Sequence, residues 1–278
     1  MKLAFSTNAF KKYSLDYAIK EISKIGYEGV EILCDSPHAY PPKFAGNKIN
    51  ETRKLISDLG LEISNLNAFT LYSIGDVYHP SWIESSNELR KSRISHTINC
   101  INLAEKLGAK NLSTEPGGPF NYQKPNEDRN KLLKIFVKGL LDVSKFAEKK
   151  DIKILVEPEP SLLIENSTQF LELMRLVDSD YIRLNFDIGH FYCVGEDPAA
   201  IINKLVDYTE HFHFADIASN RVHYHLKPGD GSIDFVKVVE AIEKTGYKDF
   251  VTVELYPYQD NPVEVAKTAY QYLTTIIR

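Results

Sequence analysis

The chain has 278 residues, of which 43% are hydrophobic and 26% are charged, and its formal net charge is −5. This composition predicts a soluble globular protein with a large core. The acidic balance argues against a general nucleic-acid binder, because such binding depends on Lys and Arg neutralising phosphates. No apolar run approaches the roughly 18 residues of a membrane span, so no membrane partner is expected.

Three cysteines, Cys34, Cys100 and Cys193, are spread widely along the chain. Their odd number and spacing indicate neither a disulfide framework nor a zinc knuckle, and they suit a reducing compartment. The first apolar run is too short for a signal peptide, because polar residues follow from Ser6 onward. We therefore expect a cytoplasmic protein with one domain over residues 1–278, and the sequence leaves a homo-oligomer open.

Short apolar runs alternate with helical patterns along the whole chain. The predicted strands lie over 2–8, 29–33, 61–67, 110–114, 153–156, 182–186, 211–215 and 250–255. The predicted helices lie over 14–25, 49–59, 88–107, 128–150, 168–177, 199–206, 233–244 and 263–277. This alternation predicts an α/β fold with a parallel sheet, and its eight repeats predict a single (β/α)8 TIM barrel. An open doubly wound sheet is the competitor, but the first βα turn lacks the Gly-x-Gly-x-x-Gly of its nucleotide-binding form.

The longest irregular connection covers residues 68–87 and is rich in aromatic residues, among them Phe69, Tyr78 and Trp82. Long loops in compact domains are usually functional or disordered. The aromatic content favours an ordered flap over the barrel mouth, and packing on the barrel rim is the alternative.

Polar residues end four consecutive predicted strands, Glu157, Asp187, His213 and Glu254, roughly one βα unit apart. The carboxyl ends of the strands form the active face of such barrels, so these side chains are expected to meet. Three carboxylates and one imidazole would repel one another without a counter-charge. An oxygen-rich set with one nitrogen suits Mn, Mg, Co or Zn, so the sequence predicts a divalent metal site.

Other histidines carry weaker signals. His38, His79 and His96 are expected at the surface or in loops. His211 is expected to face away from His213, although regular strand alternation would instead turn both inward at different depths.

With these residues the chain resembles the xylose isomerase-like TIM barrel superfamily, particularly its ketose 3-epimerases, related sugar isomerases and inosose dehydratases. The four strand-end residues match the metal ligands of that family. Asp187 and His190 match its Asp-x-x-His motif, and Arg221 matches a substrate-binding arginine after strand seven. The segment 225–235 is similar to the loop that leads into its seventh helix.

The resemblance implies an isomerase of carbohydrate metabolism that acts on a small sugar or polyol-ketone. The metal, for which manganese is one candidate, would polarise a carbonyl and stabilise an enediolate. Glu157 and Glu254 would be the catalytic pair that removes and replaces a proton. The predicted substrate contacts come from the motif, the strand ends and the loops: His190, Arg221, His225, Glu115 and Trp82. A second metal at His190 and His225 is the alternative for those two side chains.

Three other functions remain open. The epimerases carry a second substrate-binding glutamate where this chain has Leu163, so Glu159 is a candidate substitute or the substrate differs, as in an inosose-type dehydratase. Endonuclease IV of the same superfamily is a further alternative, because Asp187, His190, His213, His225 and Glu254 fit its ligand pattern. Its other ligand positions hold Asn67, Glu115 and His223 here, and with the negative charge these argue against DNA repair. A non-catalytic metabolite-binding barrel is the third alternative.

Overall fold

The computed structural model describes residues 1–73, 75–123 and 128–277. Within these ranges eight parallel strands pair in chain order, and the first pairs with the last to close a barrel. The strands are β1 Lys2–Ser6, β2 Gly29–Leu33, β3 Glu62–Asn67, β4 Asn111–Thr114, β5 Lys153–Val156, β6 Ile182–Asp187, β7 Thr209–Phe214 and β8 Phe250–Val253. The predicted single (β/α)8 barrel is confirmed.

Helices surround the barrel and connect its strands. They are α1 Leu15–Ile25, α2 Asn47–Asp58, α3 Asn87–Leu107, α4 Arg129–Glu148, α5 Ser167–Leu176, α6 Ile188–Cys193, α7 Pro198–Leu205, α8 Phe235–Thr245 and α9 Pro262–Leu273. The short helix α6 was not predicted, because its six residues directly continue a strand and are too few for a helical pattern. No helix among the described residues has both the length and the apolar character needed to cross a membrane.

Helix α1 shows how local sequence sets these elements. The side chain of Ser14 accepts a hydrogen bond from the backbone N–H of Tyr17 and caps the first turn. Gly26 ends the helix in the left-handed conformation, with φ of 114°, which glycine adopts without steric cost. The apolar side chains between these signals, among them Ile19 and Ile22, are fully buried against the barrel. Burial of each such side chain stabilises the fold by about 1.5–3 kcal/mol.

The barrel interior is polar where such barrels usually hold branched apolar residues. Ser64 on β3 contacts Thr252 on β8, with their hydroxyl oxygens 3.0 Å apart, and these strands are not neighbours, so the contact crosses the interior. His211 extends this series of side-chain contacts, because its Nε2 lies 2.8 Å from Thr252 Oγ1 and its Nδ1 lies 2.9 Å from Asn185 Oδ1. His211 and His213 therefore both point inward at different depths, and the expectation that His211 faces away is wrong.

Two histidines expected at the surface are buried. His38 places Nε2 3.2 Å from the carbonyl oxygens of both Phe10 and Tyr13, and this contact joins the loop after β2 to the loop after β1. His96 lies on the inner side of α3 beside Cys100. Only His79 of the three is exposed to the degree expected, in an ion pair with Glu84.

The His38 contact predicts a pH-dependent stability. Burial lowers the pKa of His38 to about 4 from 6.5, so the folded state stays neutral at pH values where the unfolded chain binds a proton. The free energy of unfolding is therefore full above about pH 6.5 and falls as the pH drops towards 4, by up to about 3 kcal/mol. We expect His38→Gln, which keeps a hydrogen-bond donor, to lose less stability than the wild type between pH 7.5 and 4.5 in urea titrations. Parallel losses in both proteins would contradict this assignment.

Candidate metal and active site

The four predicted metal ligands converge at the carboxyl end of the barrel. Each offers one ligand atom, and these atoms all lie within 4.8 Å of one another. His213 Nδ1 stands among the three carboxylates, 2.8 Å from Glu157 Oε1, 3.6 Å from Glu254 Oε2 and 3.9 Å from Asp187 Oδ2. All four side chains are buried. We call them the quartet.

One atom of the quartet indicates that its donor set fits a cation. Asp187 Oδ1 accepts a hydrogen bond from the backbone N–H of His190, 2.9 Å away. Asp187 Oδ2 is buried and has no hydrogen-bond partner within the described part of the chain. A buried carboxylate oxygen without a partner is costly, and a divalent cation bound by three carboxylates and one imidazole would satisfy it.

Burial and neighbouring charges shift the pKa values of three quartet members. Burial raises the pKa of Glu157, and it raises that of Glu254 well above 4.5, although the charge of His213 works against both shifts. Burial alone would lower the pKa of His213, but the charges of Glu31, Glu157 and Glu254 outweigh it and hold that pKa well above 6.5. Without a cation, a proton on His213 therefore offsets part of the negative charge.

Glu31 is the residue that sequence reasoning missed. It lies in the middle of β2, is fully buried, and has Oε2 2.7 Å from His213 Nε2. Its only sequence signal is a single acid inside an apolar run, Gly-Val-Glu-Ile-Leu. Such an acid is almost never fully buried unless it is paired, so the run could have identified it as part of the site.

The predicted contacts His190 and His225 lie beside the quartet and line the same cleft, together with His223. His190 Nδ1 is 2.9 Å from the carbonyl oxygen of Pro158, and His225 Nδ1 is 2.9 Å from that of Glu254. Each Nδ1–H therefore donates to backbone, which leaves Nε2 as an acceptor. His223 Nε2 lies 3.4 Å from His225 Nε2. Burial lowers the pKa of all three imidazoles, so they are neutral at pH 7.

The cleft above the quartet is open to solvent and has a volume of about 170 Å³, so it can admit a small ligand. Its other side is the flap, residues 68–86, which includes residue 74 outside the described ranges. Phe69, Thr70 and Tyr78 of the flap face the cleft. The Tyr78 hydroxyl donates to Glu159, the candidate substitute glutamate, which also lines the cleft.

Three predicted substrate contacts do not line this cleft. Arg221 is exposed, donates to the carbonyl oxygen of Tyr192 at 2.8 Å and stacks on the Tyr192 ring, because the unpredicted helix α6 supplies that partner. Trp82 is buried behind the barrel wall, where Nε1 donates to Thr114 Oγ1 at 3.1 Å and the ring packs on Phe136. These placements correct the expectation for both side chains.

Glu115 is also withdrawn from the cleft, because it is fully buried against Arg93 with 3.4 Å between Oε1 and Nε. Burial raises the pKa of Glu115 to about 7 even though the charge of Arg93 opposes this. Arg93 donates to the carbonyl oxygens of Phe69 and Pro80, 2.8 and 2.9 Å away. The buried pair therefore tethers two points of the flap to α3 and has a structural role.

The model of the family described as xylose isomerase-like TIM barrel matches residues 19–276. The chain belongs to this family. Among curated relatives, the inosose dehydratase of Clostridium beijerinckii is 25% identical and the match covers 95% of this chain and 90% of the relative. The fructoselysine 3-epimerase of Shigella flexneri is 22% identical, with 100% and 98% covered. Among solved structures, the IOLI protein with a binding zinc atom superimposes with a TM-score of 0.81 at 19% identity, covering 100% of this chain and 98% of that one.

The geometry of the quartet predicts metal binding that depends on Asp187. Metal-free protein titrated with Mn²⁺, Co²⁺ or Zn²⁺ should bind one ion per chain in the quartet, and calorimetry should detect proton release because ligands must be deprotonated. Asp187→Asn removes the negative charge of one ligand. Loss of a residue that only contacts a ligand typically weakens metal affinity by about 10- to 100-fold, so loss of this ligand charge should weaken it by about 100-fold or more.

The control variant is Asp142→Asn, because Asp142 is an exposed carboxylate on α4 that pairs with Lys138 far from the quartet. Its affinity should equal that of the wild type. A wild-type protein that binds none of the three ions, or an Asp187→Asn variant with unchanged affinity, would contradict the metal site.

Proposed function

We propose that this protein is a metal-dependent sugar isomerase or epimerase that acts on a ketose or related polyol-ketone. It removes a proton from the carbon next to the carbonyl and passes through an enediolate. The observation that carries the proposal is the pair Glu157 and Glu254. Both carboxylates border the cleft, and both belong to the quartet.

The cation, held by the quartet, would polarise the carbonyl and favour loss of the neighbouring proton. Glu157 and Glu254 approach the cleft from β5 and β8, which are not adjacent in the barrel. One glutamate takes the proton and the other returns one on the opposite face of the carbon. Coordination by the cation would keep a carboxylate ionised near neutral pH, which is the form that a general base requires.

Hydrogen bonds orient Glu254 for this role. Asn8 Nδ2 and Asn67 Nδ2 both donate to Glu254 Oε1, at 2.7 and 3.0 Å. That oxygen is therefore held in place, and Oε2 is left nearer to His213. Fixed geometry of this kind is what efficient proton transfer to a bound substrate requires.

The neutral histidines suit a polyhydroxylated substrate. His190 and His225 each present Nε2 as an acceptor to the cleft, so they can accept hydrogen bonds from sugar hydroxyls. The Tyr78 hydroxyl and Glu159 border the same space. The fructoselysine 3-epimerase and the zinc-containing IOLI protein support this assignment, since both match along nearly the whole chain.

A dehydratase is the second candidate, favoured by the inosose dehydratase relatives and by Glu159. Burial raises the pKa of Glu159 well above 4.5, which favours the protonated form that could donate a proton to a departing hydroxyl. Leu163 occupies the place of the second substrate-binding glutamate of the epimerases. Both candidates share the first proton abstraction and differ in whether a proton is returned or a hydroxyl is lost.

The nuclease alternative loses support from the same contacts. Asn67 is engaged with Glu31 and Glu254, and Glu115 is held behind the barrel wall by Arg93. Neither offers the cleft a further metal ligand in place of the histidines that the resemblance to endonuclease IV requires. Metal-loaded protein should leave abasic-site duplex DNA uncut in a gel assay.

The proposed proton transfer predicts solvent exchange. Metal-loaded protein incubated in D₂O with a panel of ketoses and inososes should place deuterium on the carbon next to the carbonyl, detected by NMR. Glu254→Gln keeps the shape and one oxygen ligand but removes the base, so turnover should fall by about 10²-fold or more at a metal concentration that saturates the variant.

Glu264→Gln is the matched control, since Glu264 lies at the start of α9 outside the cleft, and it should be fully active. A dehydratase would give an unsaturated ketone with strong ultraviolet absorbance. Product formed without solvent deuterium, as in a hydride shift, would contradict the proton-transfer assignment even with the metal in place.

A further inference from the structure

Glu31 lies inside the barrel on the side of His213 that faces away from the other three members of the quartet. His213 places Nδ1 among those carboxylates and Nε2 against Glu31, 2.7 Å from Oε2. Each of the two ring nitrogens of His213 therefore contacts a carboxylate oxygen. Glu31 is fully buried and is not among the side chains that line the cleft.

Three N–H donors converge on the Glu31 carboxylate. Asn65 Nδ2 donates to Oε2 at 2.8 Å, Asn67 Nδ2 donates to Oε1 at 3.2 Å, and His213 Nε2 donates to Oε2. Both oxygens act as acceptors, and reversing either amide group would point its oxygen at a carboxylate oxygen, which cannot donate a hydrogen bond. A carboxylate in this place therefore requires that His213 Nε2 carry a hydrogen.

We infer that Glu31 is a positioning residue that selects Nδ1 of His213 as the metal-binding atom. A histidine that donates one ring N–H to a carboxylate is fixed in tautomer and in ring orientation, and the other nitrogen becomes a stronger ligand. The inference rests on the proposed function only in that the quartet holds a cation.

Glu31 is also linked to the candidate base Glu254, through the side chain of Asn67. Asn67 Nδ2 donates both to Glu31 Oε1 and to Glu254 Oε1, at 3.2 and 3.0 Å. The position of Glu254 is therefore tied to Glu31 through one amide group. Without Glu31, the ring of His213 loses its contact at Nε2. The amide of Asn67, one of the two that hold Glu254, also loses one of its acceptors.

Two substitutions separate contact from charge. Glu31→Gln keeps the size of the side chain but turns an amide N–H towards the existing donors, so one of them loses its acceptor. Glu31→Asp keeps the charge but is one methylene shorter, so it cannot hold His213 at the same distance. Ser64→Ala is the control, because Ser64 is a buried polar residue of the same barrel interior that bonds Thr252 and not Glu31.

Zinc affinity, measured by competition with a chromophoric chelator, gives the first readout. Both Glu31 variants should bind Zn²⁺ about 10- to 100-fold more weakly than the wild type, and Ser64→Ala should bind within about twofold of it. Circular dichroism and thermal unfolding establish that each variant is folded. Wild-type affinity in folded Glu31→Gln would overturn the inference, and full affinity in Glu31→Asp alone would assign the effect to charge and overturn the positioning role.

A second readout needs no variant. In zinc-loaded wild-type protein labelled with ¹⁵N-histidine, NMR should show His213 coordinated through Nδ1 with a protected hydrogen on Nε2. Coordination through Nε2 would overturn the role of Glu31 and leave the metal site standing. Failure of the wild type to bind zinc in the quartet would instead overturn the proposed function, so the two failures are distinguishable.

Discussion

Four carboxylates are buried around one imidazole at the carboxyl end of the barrel, and this concentration of negative charge is the constraint to which the surrounding structure responds. Glu31, Glu157, Asp187 and Glu254 all approach His213 to within 4 Å. Burying such charges without compensation is strongly unfavourable. A proton on His213 offsets part of the charge, and a divalent cation would offset more while also satisfying the unpartnered oxygen of Asp187.

The neighbouring side chains can be understood as the means of holding this charge in one geometry. Asparagine amides donate to Glu31 and Glu254, and the backbone N–H of His190 donates to Asp187. On the opposite side of the cleft, buried Arg93 tethers the flap through two carbonyl oxygens. These contacts place a hydrogen-bonded set of polar side chains beneath the cleft. Catalytic groups held by other polar contacts, and not by loops alone, are typical of sites that do proton chemistry.

The sequence was sufficient for the fold and for the convergence of the four strand-end side chains, because both depend on local pattern. Strand-end residues such as Asp187 and His213 follow apolar runs, and parallel strands bring such ends to one face. Arg221, Trp82 and Glu115 were misplaced for a different reason. Their directions depend on tertiary partners, namely Tyr192 on the unpredicted helix α6, Phe136 on α4 and Arg93 on α3, and no short-range pattern announces those partners.

Glu31 is a residue of the site that was not identified from the sequence. Its contacts join strands that are distant in sequence, so its role cannot be read from spacing, and its run resembles an ordinary buried strand with one acid. The inward direction of His211 follows from the same strand alternation that turns His213 inward, because β7 pairs regularly with β6 at its carboxyl end. Residues that serve the site through another residue are thus the hardest to find from sequence, because their chemistry lies in the contact.

The most direct test of this account is a diffraction experiment on crystals grown with Mn²⁺, with data collected to give anomalous differences from manganese. We expect a strong peak about 2.0–2.3 Å from oxygen atoms of Glu157, Asp187 and Glu254 and from Nδ1 of His213. A crystal with saturating Mn²⁺ and no peak among these four side chains would contradict the claim that a cation balances the buried carboxylates.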